Sequence, residues 1–218
     1  MELDHFQELV HLVATPVMII LYSARLIILM RHRMANDRSP DPKGAIFNGV
    51  AGAFLTLVMP WKMESTRKHW AYYVEFIGFH LGLAFNISLA YLITYVASMF
   101  TAPVRAVFIF FIAIGLFVGI LRFIRRFVKP DLKIISYPDD YFSLFLVLLF
   151  NASGILALLG IVWGSYLYFT VVGIFLIYAP FSKIHHYLYY PFARFFYGNE
   201  TAHKGTLAES TLTDRSTL

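Results

Sequence analysis

The chain has 218 residues, 59% of them hydrophobic and 14% charged, with a mean hydropathy of +0.65, a balance foreign to soluble domains. A hydrocarbon core about 30 Å thick takes roughly 20 apolar residues per helix, so a chain this short has room for five or six spans and no separate catalytic domain. The absence of cysteine excludes disulfides, thiolate-held iron–sulfur clusters and thioether-attached c-type haem on this chain, and the formal charge of +5 is read as membrane topology, not as nucleic-acid binding.

The first apolar run, Leu9–Met30, follows Glu2, Asp4 and Glu8; with no basic n-region ahead of it, it reads as an uncleaved anchor helix. A shorter stretch, Ala45–Trp61, contains Asn48, Thr56 and Pro60. Four further spans are predicted at Trp70–Ala97, Val104–Ile124, Tyr141–Trp163 and Tyr166–His186. Past Gly198 the composition turns polar, which divides the chain into a transmembrane domain, 1–198, and a polar cytoplasmic tail, 199–218, predicted to be disordered.

The basic residues decide the status of Ala45–Trp61. If it does not span, Arg31, Arg33, Arg38, Lys43, Lys62, Arg67 and Lys68 share a side with Arg125, Arg126, Lys129, Lys133, Lys183, Arg194, Lys204 and Arg215, with Arg122 close by, and the other side keeps only Arg105. If it spans, that bias is badly weakened. The expected architecture is an all-α polytopic bundle of five transmembrane helices in a prokaryotic cytoplasmic membrane. Its N-terminus lies outside, its C-terminus in the cytoplasm, and 45–61 forms an interfacial helix. Arg25, near the inner end of the first helix, is expected to snorkel.

Of eight histidines, His80 and the pair His185 and His186 lie within or at the ends of spans, where an ionisable residue is costly and functional by default. On antiparallel helices, His80, ten residues past Trp70, and His186, some twenty residues after Tyr166, both fall in the cytoplasmic half. Two imidazoles facing each other across an apolar bundle are what a six-coordinate b-type haem requires. Gly78 and Gly82 flank His80, a place for a flat macrocycle to approach the helix or for two helices to pack. His185 and His186 point about 100° apart on a helix, so only one of them faces the centre. A rival arrangement with two haems pairs His69 with His203 as well, and requires helix through Pro191 and Gly198.

Three segments resemble the gamma-subunit-like membrane cytochrome b family of respiratory nitrate reductase, with its relatives in sulfite-reductase-linked and heterodisulfide-reductase-linked complexes. They are Phe79-His80-Leu81-Gly82, Pro180-Phe181-Ser182-Lys183-Ile184-His185-His186, and Arg125-Arg126-Phe127-Val128-Lys129-Pro130 followed by Asp140. The resemblance covers roughly Tyr72 to Tyr190. It implies a haem held by His80 and His186, with the spacing from the Pro-Phe-Ser segment favouring His186 over His185. Where the family holds a second, outer haem, this chain has Ala90 and Tyr168, so the resemblance implies one haem b only. It also implies quinone or menaquinone as the substrate pool and an iron–sulfur redox subunit as the cytoplasmic partner, beside membrane lipid and without nucleic acid.

Other polar residues have plainer readings beside functional ones. Arg122, Arg125 and Arg126 anchor the inner end of the third span or meet haem propionates. Glu75 is either stabilised near its helix start or a proton acceptor; Asp139 and Asp140 after Pro138 read as a helix cap; Asn86 and Asn151 are expected to hydrogen-bond between helices. Tyr187, Tyr189, Tyr190, Phe192, Phe195, Phe196 and Tyr197 form an aromatic belt. The expected function is electron transfer by a membrane-anchor cytochrome b subunit with no terminal active site of its own. The alternatives are a haem-free scaffold and a small proton-coupled transporter using Glu75 and His80.

Overall fold

The computed structural model describes residues 2–31, 46–59 and 67–204, and their regular structure is helical. The helices are α1 (Leu3–Arg31), α2 (Ile46–Val58), α3 (Trp70–Tyr95), α4 (Ala102–Val128), α5 (Pro130–Ile135), α6 (Pro138–Leu158), α7 (Val162–Tyr178) and α8 (His186–Lys204), with single 3₁₀ turns at Ala97–Met99 and Lys183–His185. Four of them, α1, α3, α4 and α6, are long and apolar enough to cross a membrane; α7 is apolar but has 17 residues. Large apolar side chains such as Leu12, Ile20, Phe110 and Phe117 stay exposed, as lipid-facing positions do. The protein is a membrane-spanning helical protein. Much of the 31–43 basic cluster, Lys62, the edges of the predicted 45–61 segment and residues 205–218 of the tail lie outside the described residues.

The chain divides into two compact units, whose boundaries fall within α1 and α3. The larger, Met1–Ala24 with Val74–His185, holds the main core. Its centre is aromatic: Phe150 stacks between Tyr168 and Phe175 at 5.6 and 5.0 Å, while Leu89, Ile112 and Phe169 are fully enclosed. Helix α3 approaches α4 through Gly82 and Gly115, and α6 comes close to Asn86 at Gly154. A Cβ on Gly82 would stand 2.5 Å from the Gly115 Cα, so the two backbones touch.

Two helix ends differ from the hydropathy reading. The fourth span stops at Leu158 instead of Trp163 because Gly160 adopts φ +76°, and the Gly160 and Ile161 N–H groups close the last turn onto the Ala157 and Leu156 carbonyls. The fifth helix stops at Tyr178, eight residues before His186. Pro180 brings no N–H to continue it, and Ser182 Oγ accepts the Ile184 N–H at 3.1 Å, turning the chain into the 3₁₀ segment.

The smaller unit, Arg25–Tyr73 with His186–Leu218, contains the last turns of α1, α2, the start of α3 and α8. Here α2 packs against α8, and a Cβ on Gly198 would meet the Val50 Cα at 2.5 Å. With 13 residues α2 is too short to span. Helix α8 continues through Pro191 and Gly198 to Lys204, so the polar tail expected from residue 199 begins as helix.

Candidate cofactor ligands and their surroundings

His80 sits on α3, half-buried in the larger unit, with its ring 4.1 Å from that of Phe76 and edge-on to Phe79 at 5.7 Å. Its Nδ1 lies 2.8 Å from the Phe76 carbonyl one turn back. A carbonyl only accepts, so Nδ1 carries a proton, and in a neutral ring Nε2 is then the nitrogen of ligating type. That donor chemistry fits an axial haem ligand. His185 belongs to the same unit and is half-buried; His186 opens α8 in the smaller unit and is exposed. The comparison of depths along one continuous fifth helix does not hold, since the helix ends at Tyr178.

The flanking glycines do not serve His80. Gly78 and Gly82 both face α4, Gly78 against Ile114 and Val118, Gly82 against Gly115. Positions two residues apart on a helix point about 200° away from each other, so the small face lies opposite the histidine. It is a helix-packing face.

The three arginines ending α4 have separate partners. Arg125 grips Glu75 on α3 in a bidentate ion pair, with Nη1 2.8 Å from Oε2 and Nη2 on Oε1. Arg126 donates to Ser136 Oγ at 2.7 Å and lies 3.9 Å from Asp140. Arg122 stands over the Phe79 ring at 4.8 Å. With its carboxylate held on both oxygens, Glu75 fastens α3 to α4; this geometry gives no support to a relay with His80. A double-mutant cycle of Glu75→Gln and Arg125→Gln, read by thermal unfolding in detergent, is expected to yield a coupling energy of about 1–3 kcal/mol.

Asp139 and Asp140 do more than cap α6. Asp140 Oδ2 accepts the Tyr137 N–H at 2.8 Å, as a capping carboxylate does, and also takes Lys183 Nζ at 2.7 Å. Asp139 accepts the Tyr178 hydroxyl and the Lys183 N–H, the latter at 3.2 Å. The two carboxylates thereby hold the turn after α7 against the start of α6. Tyr178→Phe removes one charge-assisted bond and is expected to cost about 1.5–3 kcal/mol, measurable as a lowered Tm.

Asn86 and Asn151 join helices as expected: Asn86 Nδ2 donates to the Phe150 carbonyl at 2.9 Å and to Asn151 Oδ1 at 3.1 Å. Ala90 and Tyr168 are both buried. Tyr168 donates to the Asn86 carbonyl at 2.8 Å, and the Ala90 carbonyl accepts Nε2–H of His11 at 2.9 Å.

His11 is the residue that the sequence reading passed over. It is 3% exposed on α1, packed among Tyr91, Tyr95 and Phe169, and its Nδ1 has no hydrogen-bond partner among the described residues. Its position inside the predicted Leu9–Met30 run was the available signal. Of the rival pair, His203 does lie on a helix that runs through Pro191 and Gly198, whereas His69 precedes α3 in a turn.

These features define a multi-helix membrane protein. Comparison with known proteins returns no matching family model, no matching curated protein and no matching solved structure.

Proposed function

We propose that this chain is a membrane-anchor cytochrome b subunit of a respiratory redox complex, in which His80 and His186 are the axial ligands of a single b-type haem. The observation that carries the reading is the Nδ1–H bond from His80 to the Phe76 carbonyl, which fixes the ring's orientation on α3 as the backbone bond of a ligating histidine does. Bound there, the haem would supply a one-electron couple. The aromatic rings of Phe76 and Phe79 provide apolar surroundings, and Arg122, over Phe79, is the guanidinium suited to a propionate. The partners in this reading are the quinone pool and a cytoplasmic iron–sulfur subunit.

The topology that goes with it has five spans, α7 being the fifth, with the N-terminus outside and the C-terminus in the cytoplasm of a prokaryotic inner membrane. The short length of α2 supports it, as does the gathering of α2, the last turns of α1 and α8 in one compact unit, since the charge rule puts all three on one side. The test is a pyridine haemochrome assay with protein quantitation on the purified complex. One b haem per chain is expected. Two would bring back His69 and His203, and none in a monodisperse protein would overturn the cytochrome reading.

A further inference from the structure

The smaller unit holds the ends of two helices that can span. The last turns of α1 and the first turn of α3 belong to it, and both helices are long and apolar enough to cross a membrane, so the unit stands at a membrane surface. Trp70, which opens α3, is exposed, as an interfacial tryptophan is. Within the unit α2 and α8 pack on each other at Gly49, Val50 and Gly198. At about 100° per residue, Phe192, Phe195 and Phe196 of α8 share one arc away from Gly198, and Phe47, Phe54 and Leu55 of α2 share one away from Gly49, Val50 and the buried Ala53. All six are exposed among the described residues. Neither helix buries its stripe by spanning, since α2 has 13 residues and α8 is not apolar enough to cross. The charge of the unit is one-sided. Its two segments carry eleven Lys and Arg against six Asp and Glu, while the larger unit has seven of each, so the whole net charge of +5 resides in the smaller unit.

We propose that the α2–α8 pair is a membrane-surface module lying in the plane of an anionic leaflet, its phenylalanine stripes in the upper acyl region and the basic residues of the unit among the headgroups. Apolar stripes at the level where spans end meet hydrocarbon without a further protein, and the surplus of positive charge selects an anionic surface. The assignment is independent of any haem.

The chain contains no cysteine, so the full-length protein takes a single spin label without background substitutions. Labels are placed by Phe47→Cys on α2 and Phe195→Cys on α8, with Phe117→Cys, 63% exposed on α4, as the reference for a lipid-facing position within a span. Each variant is reconstituted at one copy per nanodisc of mixed phosphatidylglycerol and phosphatidylcholine. Collisions of the label with oxygen, which partitions into lipid, are then compared with those of a water-soluble nickel chelate. Both labels are expected to favour oxygen, by a ratio between that of free label in buffer and that of Phe117→Cys. In phosphatidylcholine alone the ratio is expected to shift toward the buffer value. Both positions are exposed, so neither substitution removes core packing, and the two helices give separate readings should one variant fail to fold. A buffer-like ratio at either label, as a stripe kept for a partner protein would give, would overturn the proposal. So would shielding from both reagents, the sign of another part of the chain covering the stripe, a ratio equal to that of Phe117→Cys, or a ratio indifferent to the anionic lipid.

Discussion

Alanine at His80 is expected to abolish the b-type absorption spectrum, and alanine at His186 to do the same, while His185→Ala keeps it. A six-coordinate haem without covalent attachment is retained by its two axial bonds and the apolar contacts around it, so losing either imidazole leaves a five-coordinate centre that detergent purification strips. His80 enters this prediction already oriented by the Phe76 carbonyl. Glutamine can still donate to that carbonyl but offers iron no imidazole nitrogen, so His80→Gln is expected to fail as fully as alanine. The checks are the reduced-minus-oxidised difference spectrum and gel filtration of each variant. Loss of haem in His185→Ala together with its retention in His186→Ala would reassign the second ligand to the neighbouring position. Retention in His80→Ala would remove the basis of the proposal.

The second large effect is expected at Gly82. Even alanine there directs a methyl group to 2.5 Å from the Gly115 Cα, into backbone and not into a side chain that can swing aside. Helices α3 and α4 must then separate, and the displacement reaches the Asn86 bonds one turn further along α3. Overpacking of this kind costs about 3 kcal/mol. The measurement is the Tm in detergent, or resistance to unfolding by added dodecyl sulfate. Gly78→Ala, whose added methyl would meet the Ile114 side chain at 3.0 Å, is expected to cost less because that chain can shift. The pair also tests the orientation of α3. If both glycines served a cofactor beside His80, Gly78→Ala would change the haem spectrum before it changed stability.

Much of the architecture was legible in the chain because a bilayer imposes simple rules. Twenty apolar residues without charge mean a span, and the α1, α3, α4 and α6 helices fall where such runs lie. Helix ends were less legible, since inside a membrane the turns are as apolar as the helices. Hydropathy therefore runs straight through Gly160 and Ala179, and only the backbone signals of Gly160 and Pro180 mark the breaks. The arginines of α4 and the aspartates of α6 were recognisable as end-of-helix charges. Their partners were not: Glu75 lies 50 residues from Arg125, and Lys183 43 residues from Asp140.

Composition, charge and the periodicity of apolar runs by themselves determined that this is a helical membrane protein, where four helices long and apolar enough to cross a membrane lie, and that His80 stands inside one. They act locally or as sums along the chain, so no folded contact is needed to read them. Tertiary structure alone decided which nitrogen of His11 meets the Ala90 carbonyl, that Gly82 faces α4 and not a cofactor, and that His185 and His186 belong to different compact units. Those properties depend on which side chain or backbone another helix brings within 3 or 4 Å. A hydropathy pattern carries the face of a helix but not the identity of its neighbour.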